Sequence, residues 1–149
     1  MSRSKGRVLA FQAIYAWEAC AKAQKETGKV TDIQNDLCGF EWEDQQTLSK
    51  LADSDLDFAR LLIAGTIENI EQIDGIIKSL LVNWDFSRLK RVDLAVLRMS
   101  IYSLLFQKDI PASVVIEESV KICIDYGTDE SFKFVNALLD NVNKSRSSS

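Results

Sequence analysis

Apolar residues recur at three- and four-residue steps along most of the chain, the spacing of one face of an α-helix. From Ser4 to about Ala23 the steps fall on Val8, Phe11, Ile14 and Tyr15, which predicts a first helix. Residues 24–53 lose this period and carry Gly28, Gly39 and the acidic run Glu41-Trp42-Glu43-Asp44. The spacing resumes with Phe58, Leu61, Leu62, Ile70, Ile73, Ile77 and Leu81. Ser54 is a good N-cap for that helix, and Asp57 then falls near the positive end of its dipole. Trp84-Asp85-Phe86-Ser87 ends the pattern, and Arg88–Arg91 reads as a turn. A further helix is predicted over Asp93–Phe106, with Leu94, Leu97, Ile101, Leu104 and Leu105 as its stripe. Pro111 marks a boundary, Ser113 is a suitable N-cap after it, and Gly127 a suitable stop. The last helix is expected to start near residues 128–130 and to carry Phe134, Val135, Leu138 and Leu139. The chain therefore reads as all-α, with a single helical domain over residues 1–144 and a disordered serine-rich tail over 145–149.

Composition narrows what such a domain does. Of 149 residues, 46% are hydrophobic, enough for a real core, and one proline with six glycines suits long helices. No apolar run approaches the roughly 20 residues that span a bilayer. The basic start, Met1-Ser2-Arg3-Ser4-Lys5-Gly6-Arg7, is followed by Gln12 and Glu18 and lacks a small-residue cleavage site. No signal peptide is expected, and the predicted location is cytoplasmic. Cys20, Cys38 and Cys123 are far apart, which argues against a disulfide framework and against structural zinc. Histidine is absent, removing Ser-His and Cys-His pairs and most zinc hydrolase designs. With no glycine-rich phosphate loop either, neither catalysis nor a cofactor nor a metal is expected.

The net charge of -4 is unevenly spread. Residues 1–30 carry a local +4 and residues 31–57 a local -7. A polyanion would find its favourable field at the N-terminus and be repelled by the acidic segment after it. Arg3, Lys5 and Arg7 sit at a helix start, where cations oppose the dipole and add nothing to helix stability, so a binding role is the more plausible one. Arg3, Arg7 and Phe11 are four residues apart and share one helix face; the competing reading of Phe11 is core. Arg88, Lys90, Arg91 and Arg98 form a second basic cluster, which reads either as a phosphate site or, with the acids Asp85 and Asp93 inside it, as solvated ion pairs, the second reading being favoured. Glu117 and Glu118 are adjacent and point to different parts of a helix surface, which is no arrangement for paired carboxylate chemistry.

Three stretches, in order, carry a family resemblance. They are Arg3-Ser4-Lys5-Gly6-Arg7 with Ala13-Ile14-Tyr15-Ala16-Trp17-Glu18; Arg91-Val92-Asp93-Leu94-Ala95-Val96-Leu97-Arg98-Met99; and Ile110-Pro111, Val115-Ile116-Glu117-Glu118-Ser119-Val120, Tyr126-Gly127 and Lys133-Phe134-Val135-Asn136-Ala137-Leu138-Leu139-Asp140. The chain resembles the NusB family of bacterial transcription antitermination factors. The resemblance covers about the first 25 residues and nearly everything from residue 54 onwards. It implies a compact all-α fold of about seven helices in two small subdomains. It also implies an RNA-binding factor that pairs with NusE, a small-subunit ribosomal protein, binds boxA-type single-stranded RNA, and acts with the transcription elongation complex on ribosomal RNA operons. The free protein is expected to self-associate into a homodimer in some members. By the same resemblance Arg3, Lys5 and Arg7 would touch RNA, Lys133 and Phe134 would lie near its path, and Tyr15 and Asp93 would face NusE. Glu117 stands where the family has Asn, Ser119 where it has Ala, and serine and glycine interrupt the basic motif.

Two other functions fit the same residues. One is a NusB-like RNA-binding domain detached from an rRNA methyltransferase, in which a glycine-rich cofactor loop would come later in the chain. The other is a purely protein-binding helical module, which the acidic balance suits. Aromatics on amphipathic helices, Tyr15 and Phe134 among them, are more often core than interface on pattern alone.

Overall fold

The computed structural model describes residues 4–27, 43–81 and 85–147. Arg3, Cys38, Trp42 and Trp84, all singled out above, lie outside the described residues. Among the described residues the chain is helical with no strand: α1 (Ser4–Thr27), the short α2 (Gln45–Ser49), α3 (Asp53–Glu68), α4 (Ile70–Leu80), a 3-10 turn (Phe86–Arg88), α5 (Arg91–Phe106), α6 (Ala112–Tyr126) and α7 (Ser131–Ser147). Six of these are eleven residues or longer, against about seven expected, and α2 is a five-residue segment. No helix is long and apolar enough to cross a membrane among the described residues.

The chain divides into two compact units, Met1–Glu68 and Asn69–Ser149. The first is built on α1 packed against α3. Leu9, Ala10, Phe11, Ala13 and Ile14 of α1 are buried, as are Phe58, Ala59, Leu62 and Ile63 of α3. Gly6 lets the two helices approach: a Cβ there would lie 2.6 Å from the carbonyl oxygen of Asp55. The start of α3 differs from the sequence expectation. Ala52, not Ser54, precedes the first helical residue, and the Asp55 carboxylate reaches back to accept from the Ala52 amide at 3.2 Å. This is the acidic half of a capping box, closed from the third helical position.

The single helix expected from Ser54 to Leu81 is two helices, separated at Asn69, whose φ of -110° and ψ of 20° leave the helical region. In the second unit α5 is the central element and packs against α4, α6 and α7. Its residues from Asp93 to Leu104 are all buried, so it is covered on every side rather than along one stripe. Two serines enter this core with partners. The Ser100 and Ser119 hydroxyls bond each other, and Ser119 also donates to the Val115 carbonyl at 2.7 Å. Arg98, expected in a solvated cluster, is buried instead. Its guanidinium grips the Asp74 carboxylate in a fork, Nε at 2.9 Å and Nη2 at 2.8 Å, tying α5 to α4. Two cations approach the Phe86 ring, with Lys78 Nζ 4.9 Å and the Arg98 guanidinium 6.0 Å from its centroid.

Gly127 ends α6 as expected, by a different mechanism. Its backbone is extended, with φ of -99° and ψ of -162°, so no left-handed residue is needed. What requires glycine is space, since a Cβ would stand 2.7 Å from Ser131 Oγ and 2.8 Å from the Cys123 carbonyl oxygen. Ser113 lies inside α6, and Pro111 occupies the N-cap position without a side-chain cap. The last helix runs to Ser147, past the expected boundary at 144, with Lys144 and Asp140 paired at 3.0 Å one turn apart.

Candidate functional site

The turn from Arg88 to Lys90 leads into α5, and the turn from Gly127 to Glu130 leads into α7. These two helix starts meet. Asp85 caps the 3-10 turn by accepting from the Ser87 amide at 3.0 Å, which leaves Arg88 at its end. Lys90 Nζ donates to the Thr128 hydroxyl at 2.9 Å. Ser131 Oγ accepts from the Thr128 amide at 3.0 Å and closes the second turn. Between the turns lies a cavity of about 390 Å3 lined by Arg88, Leu89, Lys90, Asp93, Glu130, Ser131 and Phe134.

Two sequence-predicted site residues, Asp93 and Phe134, are brought together here. Val135, Leu138, Leu139 and Val142 bury the inner face of α7, and Phe134, one position off that face, is half-buried at the cavity rim. Asp93 was read as an exposed acid at the start of its helix; it is 6% exposed, because α5 is enclosed on all sides. Its Oδ1 has no hydrogen-bond partner among the described residues. Behind it the Cys123 thiol is pushed up from 9.0 to about 12, first by burial and then by the Asp93 charge.

Lys133 is exposed on the neighbouring position of α7, with its Nζ 6.0 Å from the Phe132 ring centroid rather than on Phe134. The solvated ion pairs expected of Arg88 and Lys90 with Asp85 and Asp93 do not form. Asp85 serves its own turn and Lys90 bonds a hydroxyl. Sequence reasoning left Arg88, Lys90, Glu130 and Ser131 out of the site. Arg88 and Lys90 carried a signal as members of the second basic cluster, whereas Glu130 and Ser131 had only their position in the turn after Gly127.

In the first unit the basic motif separates. Lys5 is exposed, whereas Arg7 is 1% exposed with its guanidinium carbon 5.3 Å from the Phe58 ring centroid. Arg7 was expected on a phosphate-binding surface; packed on Phe58 beside the Gly6 crossing, it is part of the α1–α3 interface. Tyr15 is 37% exposed, and its ring lies 6.3 Å from that of the buried Phe11. Among the described residues no group of three or more carboxylates and cysteines is arranged to hold a metal ion.

A family model described as the NusB family matches residues 4–144. The transcription antitermination protein NusB of Treponema pallidum is 49% identical over 145 residues, covering 97% of this chain and 94% of its own. The solved T. maritima NusB superposes with a TM-score of 0.80 at 35% identity, covering 97% of this chain and 92% of its own. A structure of antitermination factors NusB and NusE in complex with dsRNA shares the fold at 23% identity and a TM-score of 0.75, covering 96% of each chain.

Proposed function

The chain belongs to the NusB family, and from that premise we propose that it is a transcription antitermination factor that binds RNA together with NusE. The observation that carries this reading is the family match over residues 4–144, joined to 49% identity with a relative named for antitermination. A NusB–NusE pair on RNA in a protein of the same fold supports the choice of partner. The RNA is of the boxA type, recognised as nascent transcript within the elongation complex in the cytoplasm. The family match also supports one functional domain ending near residue 144.

Chemistry divides the roles. Lys5, exposed, and Arg3 supply phosphate contacts at the basic end of the chain. Lys133 supplies a further cation and Phe134 an aromatic face on which a base stacks. Tyr15 presents its partly exposed ring to NusE. Arg7 holds the crossing from which Lys5 projects.

The test is a titration of the purified chain with boxA-type RNA, with and without NusE, at several salt concentrations. The expected result is salt-dependent binding that NusE strengthens. Equal, salt-independent affinity in both arms would remove the proposal, and binding to NusE alone would leave a protein-binding module.

A further inference from the structure

The cavity between the starts of α5 and α7 has features that helix building does not explain. Asp93 occupies the third position of α5, the position Asp55 occupies in α3. Asp55 turns back and caps its own helix. Asp93 does not: it lines the cavity, nine-tenths buried, with Oδ1 unpartnered among the described residues. A buried carboxylate oxygen without a donor is costly, and its demand is met when a ligand brings an N–H. The nearby ammonium does not meet it, since Lys90 is committed to Thr128. Glu130 adds a second acceptor to the lining, Arg88 a cation and Phe134 a half-buried ring.

We infer that this cavity takes one unpaired guanine base of the bound RNA, with Asp93 accepting from its Watson–Crick edge. Guanine alone among the four bases presents two adjacent donors there, N1–H and the N2 amine. Cytosine and adenine each set a ring-nitrogen acceptor beside their amine, and uracil flanks its single N–H with two carbonyls. Those acceptors meet the Asp93 charge with repulsion, so the carboxylate selects by exclusion as well as attraction. Phe134 stacks on the base, and Arg88 at the mouth meets a flanking phosphate. A cavity of about 390 Å3 falls in the size range of small-ligand sites. Asp93 is thereby a specificity residue for RNA rather than a partner contact. The inference rests on the RNA-binding role proposed above.

The experiment measures binding of the chain with NusE to single-stranded RNA 12-mers by fluorescence anisotropy. One probe is all uridine, and the others carry a single central guanosine, inosine or adenosine. The expected order is guanosine about tenfold tighter than uridine or adenosine, with inosine, which lacks the N2 amine, in between. Asp93→Asn replaces an acceptor oxygen by an amide of equal size and should erase the guanosine preference from both sides, weakening the guanosine probe and, with the repelling charge gone, tightening the all-uridine one. The inosine comparison uses the unaltered protein, so it stands even if the variant is poorly folded. Equal affinity for all four probes overturns the inference and leaves the RNA-binding reading standing. So does a guanosine preference that survives Asp93→Asn, or a variant that loses NusE association alone, which would mark Asp93 as the seat of a basic protein side chain. Failure to bind any of these probes or boxA-type RNA overturns both readings.

Discussion

The guanidinium carbon of Arg7 stands 5.3 Å from the Phe58 ring centroid, and the arginine is 1% exposed. A residue that looks from the sequence like one of three phosphate-binding cations is thus part of the packing between α1 and α3. A desolvated cation over an aromatic face is worth about 2 kcal/mol, and the side-chain stem adds apolar contact. Arg7→Ala should therefore lower stability by about 2–3 kcal/mol in urea unfolding, while Lys5→Ala should fall within about 0.5 kcal/mol of the parent. Equal, small effects from both would remove Arg7 from the core.

The same crossing predicts an intolerance at Gly6. A Cβ there would overlap the Asp55 carbonyl oxygen, a backbone atom on a helix that cannot shift alone. Gly6→Ala gains helix propensity of about 1 kcal/mol yet forces the helices apart, at a typical cost of about 1–3 kcal/mol for overpacking. The expected net effect is destabilisation, read as a fall in Tm. An increase in Tm would show that the α1–α3 spacing is looser than described.

In the second unit the Arg98–Asp74 fork should dominate the response to charge removal. Arg98 is buried and donates twice to the same carboxylate. Taking one member away leaves the other charge without its partner in a poorly hydrated place, which costs about 3 kcal/mol or more. Arg98→Met should be markedly less stable than the parent, and Arg98→Met with Asp74→Leu should recover part of the loss. No recovery in the double variant would mean that the Phe86 contact, rather than the ion pair, carries the effect.

Much of the architecture is legible in the sequence because helices are amphipathic wherever one face is wet. The inner faces of α1, α3 and α7 follow most of the expected apolar positions for that reason, although Leu61 and Tyr15, placed on the stripes by spacing, are exposed. Such periodicity says little about a helix enclosed on all sides, which is why Asp93 and Arg98 of α5 read as surface charges and are buried. Nor does it register a break as mild as the one at Asn69, where no proline or glycine interrupts the pattern. At the candidate site, Phe134 and Asp93 could be named from the family resemblance, but their meeting depends on two turns distant in sequence. The burial of Arg7 had one sequence signal, its place four residues before the buried Phe11 on the same helix face, but nothing in the sequence names Phe58 as the ring it packs on.

Thiol chemistry should separate the two described cysteines. Cys20 is exposed, whereas Cys123 is buried with its thiol pushed up to about 12. At pH 8 a disulfide reagent should modify Cys20 rapidly and leave Cys123 untouched until the chain unfolds, since the thiolate is the nucleophile. The raised value also sets a pH dependence. The unfolded thiol ionises near 9.0 and the folded one near 12, so as pH rises between these values the unfolded state loses its proton first. The stability associated with Cys123 is full below about 9 and declines towards 12. Cys123→Ala should flatten that part of the stability profile; an unchanged profile would mean that other groups account for it.

The final prediction concerns the N-terminal cations, now without Arg7. Residues 1–30 carry +4 beside the -7 of residues 31–57, so RNA phosphates find their favourable field at the chain's start. Lys5 is exposed on the first turn of α1, where a cation gains nothing from the helix dipole. Replacing Arg3 and Lys5 together by alanine should therefore leave the unfolding midpoint unchanged and weaken RNA binding by the NusE complex. If each contacts one phosphate of a single strand, the slope of log affinity against log salt should fall by about 1.4, roughly 0.7 per contact. Affinity for NusE should not change, because Tyr15 lies well over two helical turns further along α1. A double variant with unaltered affinity and slope would show the basic end to be only solvated, and RNA recognition would then rest on Lys133, Phe134 and the partner.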